Sequence, residues 1–106
     1  MRKVRITVIK TSLDTELLTK HATPKRQASF GPCGHTAGDS YLIEGTVRCP
    51  EGLCPWAWHD IESFVRIVAF GGTIDGSVPA NSWIRCCTDA LRPVTFLIEP
   101  WGEAEG

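Results

Sequence analysis

PWAWHDIESFVRIVAF, residues 55–70, decides the fold. Ala57, Ile61, Phe64, Val65 and Val68 recur at the i, i+3, i+4 spacing of a helix face turned to a core. Pro55 suits the first helical position, where a missing N–H costs nothing. Gly71-Gly72 supplies the stop. Trp56, Ile67 and Phe70 carry apolar character past that face. The helix is therefore either covered on a second flank or meets a partner or ligand there.

Working outward, KVRITVIK (3–10) alternates, with Val4, Ile6 and Val8 toward a core and Lys3, Arg5 and Thr7 outward. LDTELLTKHA (13–22) is a short helix with Ser12 or Asp14 as its cap. The Pro-, Gly- and Ser-rich run 23–39 reads as one long loop, and long loops in small domains are usually functional or mobile. SYLIEGTV (40–47) is a second strand, and 50–54 is a turn into the main helix. Beyond the helix, GTIDGSVPANS (72–82) is a second loop. WIRCC (83–87) and VTFLIE (94–99) are strands around the turn 88–93, a connection short enough for antiparallel pairing. Val94, Phe96 and Ile98 share one face.

The expectation is one α+β domain over 1–101 with a frayed tail at 102–106. A small, mostly antiparallel sheet of about four strands packs on the main helix (55–70). The helix near 13–22 covers an edge or end. The length of 106 residues suffices for one core.

With 11 basic and 12 acidic residues the net charge is −1, so neither nucleic acid nor an anionic membrane is an expected partner. No apolar run has the length of a bilayer span, and the opening residues alternate where a secretory core would be continuous. A cytoplasmic placement follows as an expectation. The five cysteines cannot all pair within one chain. In a reducing compartment such cysteines pack, bind metal or react.

The thiols and imidazoles stand at element boundaries, where a rigid scaffold tends to carry functional groups. Cys54 precedes Pro55 at the start of the main helix, where free N–H groups and the positive dipole end favour a thiolate. It is a ligand or nucleophile, or else a small hydrophobe under the turn. His59 follows five positions later, off the face of an i, i+4 clamp, so it meets Cys54 only if that residue curls back over the first turn. Asp60 either orients an imidazole or is a first-turn acid. Cys33 and His35 lie two apart in GPCGHTAGD (31–39), a plausible metal hook or a polar loop whose cysteine packs down. Cys86 and Cys87 point to opposite faces of a strand. One is expected to pack with Ile84 in the core. Cys87 is favoured for the site, because Asp89 and Arg92 follow it in a turn. Cys49 looks incidental, and His21 lies on the surface.

Zinc-finger spacing, phosphate-cradling glycine loops, dinucleotide fingerprints and nucleophile elbows are all missing from the sequence. The chain nevertheless resembles a small prokaryotic family of cysteine-containing domains, known by its motifs and not by an activity. The motifs are C-x-H-x-x-G-D (Cys33, His35, Gly38, Asp39), P-E-G-x-C-x-x-A-W-H (Pro50 to His59) and C-C-x-D-x-x-x-P-V-x-F (Cys86 to Phe96). The resemblance implies Cys33, Cys54 and Cys87 as recurrent thiols, with Trp58 and His59 in the helix motif. It implies no reaction.

Three functional readings follow. In the first, a transition-metal site takes Cys33, Cys54, Cys87 and His35 (or His59) as ligands. Thiolate and imidazole suit Zn above all, with Cu or Fe as alternatives, and three ligands would leave an open catalytic position. The second is a cofactor-free enzyme, a lyase, isomerase or thiol-based catalyst. Cys54 is then nucleophile or acid, His59 or His35 the base, and Asp60 or Asp39 the orienting acid. Trp56, Trp58, Trp83 and Phe30 would wall a pocket for a small-molecule substrate. The third is a non-catalytic accessory or interaction domain with core cysteines, whose open sheet edges favour a homo-oligomer.

Overall fold

The computed structural model describes residues 1–31, 33–72 and 81–102. The elements run β1 (Val4–Thr11), α1 (Thr15–His21), α2 (Pro24–Ser29), β2 (Ser40–Ile43), α3 (Pro55–Ala69), β3 (Trp83–Cys86) and β4 (Val94–Pro100). The strands form one antiparallel sheet in the order β2-β1-β4-β3. This is a small α+β fold, with α3 packed across one face of the sheet.

Alternation explains that face. Val4, Ile6 and Val8 of β1, with Val94, Phe96 and Ile98 of β4, are buried under Ala57, Ile61, Val65 and Val68 of α3. Period two on the strands and period 3.6 on the helix bring the two apolar sets together. The same period leaves Arg5, Thr7, Leu97 and Glu99 on the far side, where Arg5 pairs with Glu99 at 3.3 Å and lies over the Trp101 ring. Register shifts between Val8 and Lys10, so Ile9 bulges outward and is exposed.

The helix ends as the double glycine predicts. Gly71 N–H bonds the Val68 carbonyl at 3.3 Å and Gly72 N–H the Ile67 carbonyl at 2.9 Å, the paired bonds of a Schellman motif. Gly71 takes φ +82°, which only glycine adopts freely. Phe64, at the edge of the core face, meets the Trp83 ring at 5.0 Å, so that face of α3 packs on β3 as well. Trp56 and Phe70 remain 69% and 68% exposed.

Four expectations change. The run 23–39 is not all loop, because Thr23 caps α2 by accepting from Arg26 N–H at 3.2 Å, and Pro24 opens the helix. α1 begins at Thr15, with Asp14 (not Ser12) as its cap. β2 stops at Ile43, four residues early, before Gly45 at φ +76° turns the chain. Ile84 and Cys86 do not enter the core. Both are exposed, and Trp83 and Arg85 occupy the face turned to α3. Most of the loop 72–82 and residues 103–106 of the expected tail lie outside the described residues. Among the described residues, no helix is long and apolar enough to cross a membrane.

Candidate functional site

Cys33, Cys54 and Cys87 line one cleft of about 510 Å³. They arrive from the loop before β2, the residue preceding α3, and the residue following β3. His35, Trp56, Ala57, Thr88 and Asp89 complete much of the wall. Two arginines, Arg26 and Arg92, also line it. Cys33, His35 and Cys54 additionally share a smaller cavity of about 400 Å³ beside the first.

Local chemistry fixes each thiol. Cys54 is the residue before α3, and its side chain makes no capping bond to that helix. Its backbone N–H instead donates to His35 Nε2 at 3.2 Å. A nitrogen that accepts carries no proton, so the other nitrogen, Nδ1, holds it and faces Tyr41 Oη at 3.2 Å. The Tyr41 hydroxyl then donates onward to the Gly52 carbonyl at 3.4 Å. Burial first, and then the Asp39 carboxylate, push the Tyr41 hydroxyl above its ordinary pKa, which keeps that donor in place. His35 thus uses both ring nitrogens to fasten the turn 50–54 to β2, with its ring edge-on to Phe96 at 6.2 Å.

Cys33 is half-buried in a loop pinned to β1. Gly38 N–H reaches the Val8 carbonyl and Val8 N–H the Asp39 carbonyl, both at 2.8 Å. The Asp39 carboxylate accepts from Thr36 N–H at 3.0 Å, so this acid closes its own loop. Cys87 is held in the turn after β3, where its sulfur accepts from Val94 N–H at 3.4 Å. Cys49 is not incidental. It packs against the core with its sulfur 3.6 Å and 3.7 Å from the carbonyls of Pro50 and Leu53, inside the turn that delivers Cys54. Burial, and then the neighbouring Cys54, push the Cys49 thiol up.

His59 and Asp60 do not converge with Cys54. The His59 side chain is 90% exposed and lies outside the cleft lining, with Nδ1 3.8 Å from Asp60 Oδ1. Asp60 faces the other way, its Oδ2 accepting from the Thr88 N–H at 2.8 Å and hydroxyl at 3.0 Å. Thr88 Oγ1 also accepts from Trp56 Nε1–H at 2.7 Å. These bonds bolt the start of α3 to the β3–β4 turn, the two sides of the cleft. Trp56 walls the cleft as expected, but Trp58 and Trp83 pack against the core instead. Among the described residues, no grouping of three or more His, Cys, Asp or Glu side chains is placed to hold a metal ion.

Arg26 and Tyr41 join the site without a motif to mark them in the sequence. Thr23-Pro24 was the available signal for the first, as a cap followed by a helix-opening proline. For Tyr41 there was none, because its partners depend on how the loops fold.

Asp89 closes the β3–β4 turn. Burial raises its carboxyl, but bonds from Arg92, through both backbone N–H and guanidinium, and from Leu91 N–H outweigh that and bring the pKa below the ordinary carboxylate value. A carboxyl lowered in the fold stabilises above its unfolded pKa, and that contribution is lost as pH falls through the folded value. Asp89→Asn is therefore expected to flatten the acid limb of a melting-temperature profile below about pH 4. An acid limb identical to the wild type would count against this reading of the turn.

No family model, curated protein or solved structure matches this chain.

Proposed function

We propose that this chain carries out cofactor-free thiol chemistry on a small molecule held in the cleft, with Cys54 as the reacting group. One observation supports this above the others: three cysteines from separate segments meet at one cleft, and the imidazole beside them is spent on positioning. Cys54 is the natural nucleophile of the three. It stands at the positive end of a 15-residue helix, and its own side chain makes no capping bond to the first N–H groups. Cys87 accepts a backbone bond and serves the turn. Cys33 shares both cavities with Cys54 and is the second thiol within reach of a bound molecule. In a displacement step the Cys54 sulfur bonds to an electrophilic carbon, its proton passes to solvent, and the leaving group departs with the bonding pair.

A metal–thiolate centre is the second reading, favoured by the same shared cleft. It would take Cys33, Cys54 and Cys87 as soft ligands, and His35 as a fourth only if that ring released the Cys54 N–H.

Alkylation with iodoacetamide, mapped by mass spectrometry on the folded protein, tests the proposal. Cys86 is the comparator, because it is exposed whereas Cys54 is only half-buried. Access alone would make Cys86 react first. Cys54 is expected to react about tenfold faster than Cys86, and Cys54→Ser is expected to remove that fast phase. A Cys54 slower than Cys86 would overturn the proposal. Stoichiometric metal in protein purified without added metal, lost in Cys54→Ser, would put the metal reading in its place.

A further inference from the structure

The cleft carries more positive charge than its own acids neutralise. Its charged lining side chains are Arg26, Arg92 and Asp89. Asp89 is engaged by Arg92, whose Nε lies 3.1 Å from the carboxylate. Arg26 has no carboxylate within ion-pair distance among the described residues. The two guanidinium groups also share one aromatic partner. Arg26 stacks over the Phe30 ring at 4.9 Å from its centroid, and Arg92 over the same ring at 4.5 Å. A single aromatic ring thus holds two cations at the rim of a thiol-lined cleft. Each stacking contact is favourable, but the cations repel one another, and one acid offsets only one of them.

From this arrangement we infer that the cleft binds a small anion, a molecule bearing a carboxylate or phosphoryl oxyanion, which lies between Arg26 and Arg92 and presents its other end to the thiols. The planar fork of arginine, fixed in orientation by stacking, is suited to either oxyanion. The residues come from α2 and from the β3–β4 turn, so the anion would also bridge two segments that otherwise meet through Phe30. This inference rests on the thiol reading for what happens at the far end of the ligand, but the anion site stands on the arginines alone.

Two alkylating reagents that differ in charge separate the two ideas. Iodoacetate is an anion and iodoacetamide is neutral, with the same reacting carbon. The ratio of their rates at one thiol reads the local charge and cancels the reactivity of that thiol. In the folded protein the iodoacetate-to-iodoacetamide ratio is expected to be about fivefold higher at Cys54 than at Cys86, the effect of one nearby unpaired cation. Arg26→Gln should bring the Cys54 ratio down to the Cys86 value, while Arg26→Lys should keep most of it. Arg26 is exposed on a short helix, so folding is not at risk in either variant.

Inorganic phosphate and acetate, each added at constant ionic strength, identify the oxyanion class by which one slows iodoacetamide at Cys54. Equal ratios at Cys54 and Cys86, or a ratio that Arg26→Gln leaves unchanged, would overturn the anion site. A slow Cys54 with a high ratio would overturn the thiol reading and leave the anion site standing.

Discussion

Replacing Phe96 with alanine is expected to cost about 3–5 kcal/mol of folding stability, the largest effect of any single substitution in this chain. The side chain is fully buried at the centre of β4. It lies opposite Val8 on β1 and Arg85 on β3, under α3. Truncation removes the burial of an aromatic ring and leaves a cavity that two flanking strands and a helix hold open. A domain of this length has about 5–15 kcal/mol in total, so the variant would lie near the edge of folding. Equilibrium urea unfolding should show a large fall in midpoint with little change in slope. Phe96→Leu should cost much less, because it fills most of the volume. Its second readout is the cleft. The His35 ring rests edge-on against Phe96, and His35 accepts from the Cys54 N–H. Loosening that wall should change the alkylation rate at Cys54 and leave Cys86 alone. A loss below 1 kcal/mol for Phe96→Ala would show that the centre of the core lies elsewhere.

What the sequence made legible follows from the range of the forces involved. α3 and its apolar face were readable because proline, periodicity and double glycine are local signals that agree with one another. β1 and β4 were readable because each buries one clean alternating face. β3 was placed correctly, but its inward side was not. WIRCC is apolar at nearly every position, so alternation could not choose, and the stacking of Phe64 on Trp83 decided it. α2 was hidden because its signal is a cap and a proline with no buried residue behind them. In the site, Cys33, Cys54 and Cys87 could be singled out, since boundary positions tend to face one end of a small sheet. The fate of His35 could not. Whether an imidazole serves as ligand, base or fastener depends on partners from β2 and the turn 50–54, and only the folded chain brings Tyr41 and the Cys54 N–H to it. The proposed pairing of His59 with Cys54 failed for a helical reason. Residues five and six positions beyond the cap lie on the flank of α3, where His59 points to water and Asp60 to Thr88.

Asp60→Ala is expected to cost about 2–3 kcal/mol, although the residue lies in the outer wall of the molecule. Its carboxylate is only 11% exposed and accepts two bonds from Thr88. Hydrogen bonds to a charged acceptor are worth more than neutral ones, and truncation removes both of these at once. The same acid sets the width of the cleft, because Trp56 and Asp60 of α3 both hold Thr88, the neighbour of Cys87. Its loss should let the β3–β4 turn swing away from α3 and speed alkylation at Cys87 severalfold. Asp60→Asn keeps one acceptor oxygen and should recover part of both effects. His59→Ala discriminates this fastening role from catalysis. With its side chain in solvent, His59 should be dispensable, with stability changed by less than about 0.5 kcal/mol and the Cys54 alkylation rate unchanged. If His59→Ala and Asp60→Ala instead both slowed Cys54 to a similar extent, the two residues would be working together on the thiol, and Asp60 would be an orienting acid and not a bolt.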